Sequence, residues 1–107
     1  KNYVLNAKEG DTQLTLKELT AVRLLKNDFY NNIINAYSKN ATNEQLKLLL
    51  GRGRAKKGMF EGDIDNGELE IGQVASTINE IQSVNDIIIE IVDGFNNVQD
   101  RLSKIRL

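Results

Sequence analysis

Gly51-Arg52-Gly53-Arg54-Ala55-Lys56-Lys57-Gly58-Met59-Phe60-Glu61-Gly62-Asp63-Ile64-Asp65-Asn66-Gly67-Glu68-Leu69-Glu70-Ile71-Gly72-Gln73 holds six of the chain's eight glycines. Glycine at that density reads as connection and turn, with room for one helical turn at Ala55 to Phe60. The stretch therefore separates short elements before it from longer helical ones after it. Working upstream, Thr42-Asn43-Glu44-Gln45 is a capping box: the Thr42 hydroxyl and the Gln45 side chain each satisfy a free N–H. Leu46, Leu49 and Leu50 follow, and Gly51 stops the helix. Before it, Asp28 is expected to cap a helix through Phe29, Ile33, Ile34 and Tyr37 that ends at Ser38-Lys39-Asn40.

Nearer the start, Thr12 to Leu19 alternates with a period of two, placing Leu14 and Leu16 on one face and Thr15 and Lys17 on the other, which predicts a short strand. Ala21 to Lys26 fits a second strand or the start of the next helix, and strand is preferred. Working downstream, Ile71, Val74, Ala75 and Ile78 stripe one face of a helix that fades near Asn79 and Ile81. Ser83 can cap a last, long amphipathic helix with Asp86 in its first turn. Its apolar residues recur at Val84, Ile87, Ile91, Phe95, Val98, Leu102 and Ile105. That spacing allows a coiled-coil partner as well as a neighbour in the same protein; covering a core of its own protein is the preferred reading. The fold class that follows is mainly α with a small β-hairpin: an extended or hairpin segment over 1–27, short helices over 28–62, and an acidic turn plus two C-terminal helices over 63–107.

With 107 residues, 14 Lys+Arg and 15 Asp+Glu, the chain has room for one small domain and carries a net charge of -1. Near-neutral charge argues against a nucleic-acid partner. Having no Cys and no His, the chain lacks disulfides, thiolate nucleophiles, imidazole metal ligands and a histidine-based triad. Its longest apolar runs, Leu48-Leu49-Leu50 and Ile87-Ile88-Ile89, fall far short of the roughly 20 residues of a membrane helix. No signal peptide is legible after Lys1, and the only methionine is Met59. The expectation is a cytoplasmic piece of a longer chain.

Arg52, Arg54, Lys56 and Lys57 crowd four cations into eight residues, a pattern that suits a solvated helix start or contact with phosphate or an acidic partner. The run fails the Walker A template because Met59 follows Gly58, and fails G-x-G-x-x-G because Lys56 takes the third glycine position. No aromatic side chain interleaves to stack a base. Glu61 to Glu70 gathers five carboxylates, but with Asp63 as position one of a calcium loop Glu68 stands where glycine is needed and Val74 where the bidentate Glu is needed. Neither a metal site nor a catalytic pair is assigned to them. Gly72, early in a helical stripe, costs about 1 kcal/mol relative to Ala and marks close approach of backbone or of a ligand.

Gly51 to Gln73, together with Glu9-Gly10-Asp11-Thr12-Gln13-Leu14-Thr15, resembles the C-terminal region of nitronate monooxygenases (2-nitropropane dioxygenases) and of the related flavin-dependent enoyl-acyl-carrier-protein reductase II. The most specific part is Glu61 to Ile78, with its glycine–aspartate turn, acidic–glycine turn and x-Gly-Gln-x-Ala helix start. The resemblance implies FMN as cofactor and a parallel β/α barrel carrying a smaller, largely helical substrate domain. A barrel needs about 250 residues, so this chain would be the C-terminal, substrate-domain part of such an enzyme, inactive alone. By resemblance, Leu69, Glu70 and Ile71 line the substrate pocket and Gly72 and Gln73 lie at the cofactor. Relatives carry small or apolar residues before the Gly-Gln pair, where this chain has Glu70-Ile71. The loops that hold the FMN phosphate and the catalytic histidine belong to the barrel, so no residue here is assigned catalysis. The implied partners are the remainder of the barrel, a small-molecule substrate (a nitronate, a nitroalkane or an enoyl thioester) and a homo-oligomeric copy. The competing expectation is a non-catalytic module that binds a partner helix through Val84 to Ile105.

Overall fold

A computed structural model describes residues 1–106. Five α-helices, one two-stranded sheet and one 3₁₀-helix follow in the order α1 (Asn2–Leu5), β1 (Thr12–Thr15), β2 (Val22–Leu25), α2 (Asp28–Ser38), α3 (Asn43–Leu50), α4 (Arg54–Met59), the 3₁₀-helix (Gln73–Thr77) and α5 (Val84–Ser103). The mainly helical class with a hairpin is what forms, with a short helix in place of extended chain at the very start.

β1 and β2 pair antiparallel with Thr12 opposite Leu25 and Thr15 opposite Val22. The expected face is corrected. Leu14 is exposed, whereas Thr12 and Thr15 are buried. The strand stops at Thr15 because Leu16 turns into the left-handed region at φ 53°, which swings its side chain into the core at 1% exposure. A bulky residue with positive φ is strained, and burial of the leucine side chain, worth about 2 kcal/mol, offsets it.

The core is a single cluster of Leu16, Leu24, Phe29, Ile33 and Leu46, flanked by Leu19, Val22, Ala36, Tyr37, Ala41, Leu49 and Leu50. It joins the hairpin to α2 and α3. The Thr42 capping box forms as expected. The cap of α2 is Asn27 rather than Asp28, which occupies the first helical position instead. Ile34, expected on the apolar stripe of α2, faces solvent.

Two further expectations change. The stripe from Ile71 to Ile78 makes only a five-residue 3₁₀-helix, with Ala75 buried and Val74 and Ile78 exposed. The last helix is capped by Ser83 as expected, and none of its residues is buried among the described residues. The radius of gyration is accordingly 18.4 Å, against about 13 Å for a compact domain of this length.

Candidate functional site

The glycine-rich stretch folds back on itself because two of its glycines let backbone meet backbone. α4 passes over the turn at 63–67 with Gly58 against Gly67, close enough that a Cβ on Gly67 would collide with the Gly58 backbone and the Asp63 carbonyl. A Cβ on Gly58 would lie 2.8 Å from the Glu68 carbonyl oxygen. These are the positions of close approach. Gly72 is not one of them: a Cβ there would meet only Val74 Cγ2, at 3.8 Å.

Asn27 ties the turn to α2. Its side-chain amide donates to the Ile64 carbonyl at 2.9 Å and the Gly67 carbonyl at 2.8 Å, while its Oδ1 accepts from the Tyr30 backbone N–H. Phe29 N–H donates to the Asp65 carbonyl. The Asp63 carboxylate accepts from the Asn66 N–H at 2.8 Å and pairs with Lys57 at 3.0 Å, and both hold its pKa below the usual Asp value.

The basic run is mostly committed elsewhere. Arg54 points inward: its guanidinium donates to the Leu50 carbonyl at 2.7 Å and the Asn66 carbonyl at 2.8 Å, and lies 4.5 Å from the centre of the Phe29 ring. Two carbonyls and the ring face thus engage its guanidinium, while the residue stays partly exposed. Lys56 pairs with Glu61 at 3.4 Å. Arg52 is exposed on the loop before α4. The four cations therefore do not converge on one point.

Beyond the turn, Leu69-Glu70-Ile71 runs alongside the free edge of β2, joined to it by an isolated antiparallel bridge. Leu25 N–H donates to the Leu69 carbonyl at 2.9 Å, Ile71 N–H donates to the Arg23 carbonyl at 3.1 Å, and Glu70 bridges Leu24. This backbone pairing places all three residues on the wall of a pocket of about 260 Å³, shared with Tyr3, Leu25, Met59 and Ile64. Gly72 and Gln73 lie outside it, where Gly72 caps the 3₁₀-helix. Leu69, Glu70 and Ile71 thus line one pocket, and Gly72 and Gln73 do not. Tyr3, Met59 and Ile64 carry no sequence signal for this role; they reach the pocket from α1, from the end of α4 and from the turn.

One titratable group is held against its chemistry. Glu68 is buried, and burial, with the neighbouring Glu70 carboxylate, pushes its pKa up while Arg54 pulls it down. It makes no ion pair among the described residues. A raised carboxyl pKa means that the folded state disfavours the charged form, so stability falls as pH rises from the ordinary value of 4.5 through the shifted one. We expect Glu68→Gln to raise the denaturation midpoint at pH 7 and to lose that advantage below pH 4.5; a midpoint unchanged at pH 7 contradicts it.

Lys56 and Lys57 pair with Glu61 and Asp63, Arg54 donates to backbone carbonyls, and Arg52 is exposed. The 260 Å³ pocket is lined mainly by apolar side chains, together with Lys1 and Glu70.

No protein-family model matches the sequence, and no curated protein matches it. Among solved structures, FabK from Thermotoga maritima is similar at 29% identity with a TM-score of 0.81, over 96% of this chain and 32% of that one. A point mutant of the same protein matches at 26% identity with a TM-score of 0.72, over 96% of this chain and 30% of the other. The chain spans about a third of the length of the structures it matches, and nearly all of its fold has a counterpart there.

Proposed function

We propose that the chain is the substrate-side portion of an FMN-dependent oxidoreductase acting on enoyl thioesters or on nitronates and nitroalkanes. The likeness to FabK, an enoyl-acyl-carrier-protein reductase II and an FMN enzyme of the nitronate monooxygenase family, supports this reading over nearly the whole chain. The observation that carries it is local. Leu69, Glu70 and Ile71 share one pocket wall, pinned to β2 by two backbone hydrogen bonds. In this reading the remainder of the enzyme holds FMN, and the wall excludes water and orients the substrate. Glu70 is exposed on this wall, so a substrate that covers it has to supply a partner for its carboxylate. The piece alone does not turn over.

Gly72→Val in the full-length enzyme tests the reading. Gly72 has φ -73° and open space around it, so valine is tolerated by this fold. A loss of turnover or of substrate affinity of roughly tenfold or more then reports an object approaching from outside these residues. Unchanged turnover and affinity count against a flavin or substrate at this position.

A further inference from the structure

Independently of that reading, we propose that Asn66 is a self-modification site, an asparagine that cyclises onto Gly67 and becomes aspartate or isoaspartate when the crossing of α4 over the turn opens. Of the chain's 13 asparagines it alone is followed by glycine. That neighbour matters because glycine has no side chain to shield its backbone nitrogen or to restrict the rotation that brings the nitrogen round. The Gly67 nitrogen attacks Asn66 Cγ: the N–Cγ bond forms, the Cγ–Nδ2 bond breaks, and ammonia leaves with the proton from the Gly67 nitrogen. Water then opens either carbonyl of the resulting succinimide. One opening gives aspartate; the other gives isoaspartate, with the main chain rerouted through Cβ.

Both reacting groups are present, but the fold withholds one of them. The Asn66 side chain is exposed, and its amide makes only a long contact to Asp63 Oδ1 at 3.5 Å. The backbone is another matter, because every N–H and C=O of Asn66 and Gly67 is engaged. Asn66 N–H donates to Asp63 Oδ1 at 2.8 Å, and Gly67 N–H donates to the Asp63 carbonyl at 3.0 Å. The Asn66 carbonyl accepts from Arg54 Nη1 and the Gly67 carbonyl from Asn27 Nδ2, each at 2.8 Å. Turning the Gly67 nitrogen toward Asn66 Cγ rotates this peptide, which breaks the bonds to Arg54 and the Asp63 carbonyl and shifts Gly67 against the Gly58 backbone. Reaction therefore waits on local opening. Conversion then works against closing again: aspartate at position 66 sets a second carboxylate beside Asp63, and isoaspartate adds a main-chain atom between Asp65 and Gly67.

The test uses the full-length enzyme, incubated at mildly alkaline pH either folded or unfolded in urea. Peptide mapping that separates aspartate from isoaspartate follows every asparagine. In urea, Asn66 is expected to convert faster than any other asparagine of this chain; in the folded enzyme it is expected to convert roughly a hundredfold more slowly than in urea. Asn27→Ser keeps a capping hydroxyl but loses the amide that holds the Gly67 carbonyl, and Arg54→Lys keeps the charge but loses the guanidinium fork. Each is expected to speed folded-state conversion at Asn66 roughly tenfold while the other asparagines keep their rates, which separates release of the clamp from general unfolding. Enzyme enriched in the converted form is expected to melt below the parent. Equal rates at Asn66 with and without urea, no preference for Asn66 in urea, folded variants that convert no faster than the parent, or a converted form that melts with the parent overturns the proposal. The comparison on the parent decides even where a variant does not fold.

Discussion

Gly67→Ala is expected to be the most damaging single methyl group that can be added to this chain, with a loss of about 3 kcal/mol. The new Cβ has no room to form, because what it meets is main chain: the Gly58 backbone and the Asp63 carbonyl. Neither can swing aside as a side chain would, so relief requires α4 to lift from the turn. Lifting it breaks the Glu68 N–H to Arg54 carbonyl bond and the Asp63 N–H to Lys57 carbonyl bond. Since small domains are stable by only about 5–15 kcal/mol, the variant has little margin left. Urea denaturation followed by circular dichroism checks it. Gly72→Ala is the control and is expected to stay within about 0.5 kcal/mol of the parent, because its surroundings are open. Equal midpoints for Gly67→Ala and Gly72→Ala would show that the backbone crossing is not what holds this region.

Asn27→Ala is expected to cost about 3 kcal/mol for a different reason: it removes three hydrogen bonds at once. The helix cap contributes about 1 kcal/mol, and each buried carbonyl left without a donor adds about 1 kcal/mol or more. The carbonyls concerned are those of Ile64 and Gly67, to which the Asn27 amide donates. Asn27→Asp separates the contributions, because its carboxylate still accepts from the Tyr30 N–H but faces the two carbonyls with no proton at neutral pH. The aspartate variant is therefore expected to be no more stable than the alanine variant at pH 7. An aspartate variant as stable as the parent would mean that capping alone carries the effect and the turn is not held by Asn27.

What could be read in the sequence was whatever depends on near neighbours. The Thr42–Gln45 capping box and the Ser83 cap require only residues three apart, and both form as read. The hairpin was legible as two strands, but not its facing, because the period of two breaks at Leu16, where a single positive φ redirects the side chain. Nothing in a list of residues marks that leucine as an exception. The Gly58–Gly67 crossing was hidden for a similar reason: two glycines nine positions apart look like any pair of turn residues until the chain doubles back. Arg54 sat in a run that reads as solvated charge, and its partner, the Phe29 ring, lies 25 positions upstream. The pairing of Leu69-Glu70-Ile71 along β2 was not legible at all. No periodicity in Leu69-Glu70-Ile71 shows that the segment joins the edge of β2.

That edge pairing has a kinetic side. Leu25 and Arg23 wait for Leu69 and Ile71, more than 40 residues later, before the outer side of β2 is satisfied. A chain emerging from the ribosome can close the two-stranded hairpin early, since its strands are near neighbours. It then carries a naked strand edge, which is where foreign strands add, until the later segment arrives. Long-range closure of this sort is slow compared with helix formation. Truncation before residue 69 would leave the hairpin permanently in that vulnerable state, so aggregation during synthesis, rather than loss of any contact in the finished molecule, is the defect to look for in shortened chains.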